Sequence, residues 1–277
     1  FFILAGELMN KGGITNRIID FALSLLGHVR GGLGYVAIVS SIVFAGISGS
    51  AMADIAALSA ILIPMMVRAG YNKNQSAGLI ASAGILAPII PPSTTMILFG
   101  VVGGVSVTHL FMGGIIPGLI IGVFLMITWT IVIRRQKTEV LPKKSWREAL
   151  RTFIKSFWAL LMPLIIIGGL RGGIFTPTEG GVVAVAYALL VGMFIYRELN
   201  FKSLIEGLVE SAKTTSVVMF MAASALVSSW LITVARLPQA VTDLLQPLIP
   251  YPSFLLLSIV LLILVLGMVL DVIPMIL

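Results

Sequence analysis

Between Arg30 and Arg68 the sequence runs from Gly31 to Val67 with a single charged residue, Asp54. That stretch is too long for one crossing, which takes about 20 apolar residues. Both flanks are basic, and basic flanks face the cytoplasm, so the two ends share one side of the membrane. Two half-length helices folded into a re-entrant hairpin, turning at 46-GISGS-50, satisfy length and charge together. The first arm, 16 residues, rises roughly 24 Å. The turn then lies deep, where backbone groups must be buried in protein or line a wet cavity.

The rest of the composition agrees. Hydrophobic residues make up 58% and charged residues 10%, with a mean hydropathy of +1.11, which places the chain in a lipid bilayer with room for roughly seven crossings. Without cysteine there are no disulfides, iron–sulfur clusters or thiolate metal sites, and two distant histidines give no metal-ligand spacing. The net charge of +7 sits between apolar runs, so it sets orientation and does not point to nucleic acid. The chain starts within FFILAGELM and stops within DVIPMIL, and it reads as a fragment.

Apolar segments are expected at 1–10, 32–47, 50–67, 75–105 with a break, 110–133, 154–170, 177–196, 214–235 and 253–277. The linker 134–155 carries eight Lys/Arg and marks the cytoplasm. Threading alternate spans from it leaves only Arg171 and Arg236 outside. The motif 176-TPTE-179 reads as a capping box with proline at the first helical position. Residues 200–213, with Glu206, Glu210 and Lys213, read as an amphipathic arm on the membrane surface, and 14–27 as a similar arm.

An internal repeat aligns 10–27 with 234–249, matching Ile14 to Leu237 and Asp20 to Asp243, and 49-GSAMAD-54 with 267-GMVLD-271. The first copy enters its hairpin through His28–Arg30, the second through 246-QPLIPYPS-253, which lacks a basic residue. The copies therefore enter from opposite faces, and inverted repeats with interrupted helices point to secondary transporters with midplane sites.

Two stretches carry the candidate chemistry. In GISGS, Gly46 and Gly49 permit a tight turn, and Ser48 and Ser50 offer oxygen ligands. The alternative is a small-residue helix-packing motif. Asp54 follows Ser50 by one turn, and an ionisable group at that depth is functional by default, as an ion ligand or as a brace for the hairpin. In 87-APIIPPSTT-95, Pro88, Pro91 and Pro92 force the helix open. Carbonyls before the break suit Na+, a hard cation, and amides after it suit a carboxylate, with Ser93, Thr94 and Thr95 able to serve either. A simple proline kink is the alternative. In the second copy the corresponding residues are Gly267 and Asp271.

The segments 46-GISGSAMADIAALSAILIPMM-66, 84-GILAPIIPPSTTMILFG-100, 113-GGIIPGLIIG-122 and 171-RGGIFTPTEGGVVAVAYAL-189 resemble the large membrane (M, DctM-like) subunit of tripartite ATP-independent periplasmic (TRAP) transporters, over essentially the whole chain. The resemblance implies an all-α polytopic membrane protein of the ion-transporter-superfamily type, with inverted structural repeats, re-entrant hairpins and broken transmembrane helices. It implies an elevator-type, sodium-coupled permease, not an enzyme, in a bacterial or archaeal inner membrane. Implied partners are a small DctQ-like membrane subunit, a periplasmic DctP-like binding protein and the lipid bilayer, with an organic acid such as a C4-dicarboxylate or sialic acid as substrate. No cofactor beyond Na+ as coupling ion is implied. Na+ is expected at the Ser48–Ser50 turn and at the Pro88–Thr95 break. Gly180 and Gly181 depart from the family, whose members often carry alanines there, and are expected to loosen a helix.

The domain division expected is a scaffold helix end and amphipathic arm at 1–30, a first transport-domain repeat at 31–109 (hairpin 31–67, broken helix 75–105), connecting and scaffold helices at 110–250 including the basic linker 134–155, and the start of a second hairpin at 251–277. Other sodium-coupled anion carriers remain an alternative. So does a rhomboid-like serine protease, because 46-GISG-49 matches its Gly-x-Ser-Gly form. That enzyme needs a histidine base beside the serine, and neither histidine reaches mid-membrane in this topology.

Overall fold

Among the described residues twelve α-helices follow one another, α1 Phe2–Lys11, α2 Ile14–Leu26, α3 Gly32–Ser48, α4 Ala51–Arg68, α5 Lys73–Gly84, α6 Thr94–Val102, α7 Val107–Ile133, α8 Trp146–Arg171, α9 Pro177–Leu190, α10 Phe201–Val234, α11 Leu237–Leu245 and α12 Pro252–Gly267. This computed structural model describes residues 1–134, 136, 138–248, 250–268 and 275, and among them there is no β-strand. Among the described residues five helical segments are long and apolar enough to cross a membrane: α4, α7, α8, α10, and α9 with the π-helical turn that extends it to Ile195. Helices α3, α6 and α12 are apolar but shorter. At 27 residues, α7 rises about 40 Å, more than the hydrocarbon core.

The chain divides into two compact units, Phe1–Ala212 and Lys213–Leu277. In the first, α3 is central and packs against α1, α2, α4, α5, α7 and α8. Its sequence fits this position, because the small buried residues Gly34, Ala37, Ser40, Ser41 and Ala45 let neighbouring helices approach closely. Leu33, Val36, Ala37, Ile38, Phe44 and Ile47 are all buried. Gly34 is required where α7 approaches, since a Cβ there would run into the Trp129 indole. That indole donates to the Gly31 carbonyl at 2.9 Å and stacks on Tyr71 with ring centroids 6.0 Å apart.

Both ends of the α3–α4 pair meet the same stretch of chain. Arg30, just before α3, donates to the carbonyls of Arg134 and Gln136 at 3.1 and 3.2 Å. The Ala69 carbonyl, just after α4, accepts from Glu139 N–H at 3.0 Å. The N-terminus of α3 and the C-terminus of α4 therefore lie at one end of the unit, beside the start of the basic linker.

Three local readings change. Helix α8 starts at Trp146 and so takes in residues 146–155 of the stretch read as linker. Ser145 caps it, accepting from Glu148 N–H at 3.3 Å while the Glu148 carboxylate accepts from Ser145 N–H at 2.9 Å. Helix α10 is continuous, so the arm read at 200–213 and the span read from 214 are one helix. No glycine or proline near Lys213 interrupts it. Gly180 and Gly181 serve close packing: added methyl groups would lie 3.1 Å from the Phe175 ring and 2.9 Å from Phe1 Cβ. The Thr176 capping box forms, with Thr176 Oγ1 accepting from Glu179 N–H at 3.4 Å and the Glu179 carboxylate accepting from Thr176 N–H at 2.7 Å.

The matched segments share a backbone signature. Helix α2 is preceded by Gly13 at φ 74° and α11 by Arg236 at φ 55°. Each of these short helices follows a left-handed residue and is itself followed by an apolar helix, α3 or α12.

Candidate functional site

Helix α3 stops at Ser48 because Gly49 turns left-handed, φ 60°, a conformation that disfavours any residue with a Cβ. Ser50 is extended, and its hydroxyl accepts from Ala53 N–H at 3.5 Å as the N-cap of α4. The turn swings Asp54 back over the end of α3, where Ser48 Oγ donates to Asp54 Oδ1. Ser48 Oγ also accepts from Ser50 N–H at 3.2 Å. Asp54 is 2% exposed, and among the described residues its Oδ2 has no hydrogen-bond partner. The carboxylate of Asp54 thus pairs with Ser48, while its backbone N–H donates to the Ser50 carbonyl at 3.1 Å.

Helix α5 ends at Gly84, four residues before Pro88. Proline at 88 cannot donate to the Gly84 carbonyl, and its ring clashes there. The chain passes through the cis Pro91–Pro92 bond and restarts at Ser93, whose hydroxyl donates to the Pro88 carbonyl at 2.8 Å and accepts from Met96 N–H at 3.2 Å. Ser93 is wholly buried. It caps α6 and closes the break on itself.

The turn and the break meet. Thr94 Oγ1 donates to the Gly49 carbonyl at 3.0 Å, and a Cβ on Gly49 would collide with the Pro92 carbonyl and lie 3.2 Å from Thr94 N. On another side the turn is covered by α1 and α8. A Cβ on Gly6 would lie 3.0 Å from Ser48 Cα, and one on Gly46 would lie 3.0 Å from Pro163 Cβ. The junction assembles a buried carboxylate, the C-terminus of α3, the N-termini of α4 and α6, and the side chains of Ser48, Ser50 and Thr94. Thr95, half-buried, follows Thr94 in the first turn of α6.

Carbonyls at the end of α3 carry partial negative charge, whereas amides opening α4 and α6 carry partial positive charge. The junction therefore offers oxygens to a hard cation and amides to an anion within one locus. Among the described residues no group of three or more His, Asp or Glu gathers. A cation here would rest on Asp54 with neutral oxygens. Ser48 is engaged with a carboxylate, an arrangement that supplies no imidazole base for a serine nucleophile. Of the two residues expected in a second hairpin, Gly267 ends α12, and Asp271 lies outside the described residues.

The sequence reading missed Gly6 and Pro163, because nothing local marks a residue as the neighbour of a turn 40 or more positions away. It also missed Ser40 and Ser41, buried on α3, whose hydroxyls have no partner among the described residues. Their signal was available as two adjacent hydroxyls in the apolar run 36-VAIVSSIVF-44.

Residues 1–277 match the family described as "Tripartite ATP-independent periplasmic transporter, DctM component". The chain belongs to the DctM family. Among similar DctM proteins, the 2,3-diketo-L-gulonate TRAP transporter large permease protein YiaN of Escherichia coli is 53% identical over 99% of this chain and 64% of its own length. The sialic acid TRAP transporter large permease protein SiaM of Vibrio cholerae is 42% identical over 96% of this chain and 62% of its own. The C4-dicarboxylate large permease DctM of Pseudomonas aeruginosa is 40% identical, with coverages of 95% and 62%. The chain spans less than two thirds of the length of each of these relatives. Among the described residues of this DctM-family chain, five helices are long and apolar enough to cross a membrane, as a component of a membrane transporter requires.

Proposed function

We propose that the full permease carrying this chain is the transmembrane subunit of a sodium-coupled secondary transporter in a bacterial inner membrane. It imports an organic acid anion handed over by a periplasmic substrate-binding protein, together with a small membrane subunit. Its coupling ion is Na+, and no further cofactor takes part. The observation that carries this reading is the hydrogen bond from Thr94 to the Gly49 carbonyl, which makes the turn and the break one site. A cation held there by Asp54, Ser48, Ser50 and neighbouring carbonyls would fix the amides that receive a carboxylate. Ion and substrate then raise each other's affinity by the same factor.

The relatives' printed substrates, 2,3-diketo-L-gulonate, sialic acid and C4-dicarboxylates, are all carboxylates, which suits amide and cation recognition without a buried arginine in either stretch. The α3–α4 pair is a re-entrant hairpin in this reading, and α11 and α12 begin an inverted second copy. An elevator motion then moves residues 31–109 and their counterpart against a scaffold that includes α1 and α8. In proteoliposomes holding the full-length protein with both partners, uptake of the cognate acid should rise saturably with external sodium. Uptake independent of sodium would overturn the reading and favour a passive channel.

A further inference from the structure

Away from the junction, α2, α8 and the segment after α9 border an open surface cavity of about 300 Å³ lined by Arg17, Ile154, Lys155, Trp158, Ile195 and Tyr196. Arg17 is fixed there by three contacts. Its guanidinium lies 3.8 Å from the centre of the Tyr196 ring, pairs with Glu198 at 2.7 Å and donates to the Gly13 carbonyl at 2.8 Å. The wall is also tied together by its backbone. Tyr196 OH donates to the Lys155 carbonyl at 3.0 Å, and Ser156 Oγ donates to the Arg17 carbonyl at 2.7 Å. Among the described residues Lys155 makes no ion pair.

Counting Arg17 and Lys155 against Glu198, the cavity carries one net positive charge. Arg151 and Arg147 precede Lys155 by four and eight residues on the same helix, so the three form one exposed basic stripe. Among the residues lining it, the apolar side chains of Ile154 and Trp158 are exposed. Lys155 marks the point on α8 where the charged stretch gives way to the apolar one. A free anion uses the basic floor and leaves the apolar rim bare, whereas a lipid uses both.

We infer that this cavity is a phosphate-binding site for an anionic phospholipid of the cytoplasmic leaflet, with the phosphodiester between Arg17 and Lys155 and the acyl chains along Ile154 and Trp158. Basic pockets between membrane helices near the cytoplasmic side bind acidic headgroups by this chemistry. The bound lipid ties α2 to α8.

The test uses the full-length permease with its membrane partner in nanodiscs of mixed phosphatidylglycerol and phosphatidylcholine. Native mass spectrometry should find one phosphatidylglycerol retained in preference to phosphatidylcholine, and added phosphatidylglycerol should raise the unfolding temperature. Lys155→Gln should weaken retention by roughly five-fold, the scale of one basic residue at an anionic surface. Lys155→Arg should restore it, and Lys73→Gln, a change on another helix, should leave it unmoved. Equal retention of both lipids, or unchanged retention in Lys155→Gln, would overturn the site. Protection by millimolar inorganic phosphate equal to that by phosphatidylglycerol would overturn the lipid as its occupant.

Discussion

Thr94 donates its hydroxyl to the carbonyl of Gly49 at 3.0 Å across 45 residues of sequence. Each partner belongs to an interruption that a lipid-facing helix could not tolerate, and each interruption finds its complement in the other. If the joint organises a sodium site, Thr94→Ala should raise the sodium concentration for half-maximal uptake several-fold, the worth of one neutral hydrogen bond of about 1 kcal/mol. Thr94→Ser keeps the donor and should stay near wild type. An unmoved sodium curve in Thr94→Ala would show that the bond is only packing.

Much of this was open to reading and some was not. The all-helical class follows from long apolar runs that leave backbone groups no other partner. The capping box at Thr176 follows from the need to satisfy free amides, a need local to four residues. Ser145 and Glu148 form the same motif, yet the surrounding charge made 134–155 read as one linker. The Ser48–Asp54 bond was hidden because its geometry depends on a left-handed residue followed by an extended one, which reverses the chain between them. The contacts of Gly49 with Pro92 and of Gly6 with Ser48 depend on tertiary packing, and no periodicity encodes them. Gly180 and Gly181 read as weakness in a helix when taken alone and become close contacts once Phe175 and Phe1 are in place.

The ends of the α3–α4 pair make a topological prediction. Arg30 and Ala69 both bond to residues 134–139, so cysteines at positions 28 and 68 should react with an impermeant maleimide from the same, cytoplasmic side. A cysteine at position 104, in the loop before α7, should react from outside. Labelling of 28 and 68 from opposite faces would make α3–α4 a full crossing.

Close packing of α1 on the turn predicts a mechanical effect. Gly6 leaves Ser48 no room to spare, since even a methyl group there would sit 3.0 Å from Ser48 Cα. If the hairpin must travel past α1, Gly6→Val should lower the maximal uptake rate at least ten-fold while half-saturating sodium changes less than two-fold. Gly49→Ala, by contrast, meets both a left-handed φ and the Pro92 carbonyl, and should lower expression or thermal stability as well. Equal rates for Gly6→Val and wild type would place α1 and the hairpin in one rigid body.

Asp54 offers the sharpest separation between a brace and a ligand. One carboxylate oxygen accepts from Ser48, and the other has no hydrogen-bond partner among the described residues. Asparagine keeps an oxygen for Ser48, so the turn should hold its shape in Asp54→Asn, while the negative charge is lost. Burying an unpaired carboxylate is costly, and without sodium the variant should therefore unfold at the same temperature as wild type or higher. In wild type, added sodium should raise the unfolding temperature by mass action on the folded state, and in Asp54→Asn that rise should largely vanish. Half-saturating sodium should climb at least ten-fold, the scale of a lost charge-assisted contact of about 1.5–3 kcal/mol. Thermal unfolding at graded sodium and uptake in proteoliposomes measure both. A sodium response that survives in Asp54→Asn with wild-type midpoint would leave Asp54 as a brace, and would move the ion to the neutral oxygens around Gly49 and Thr94.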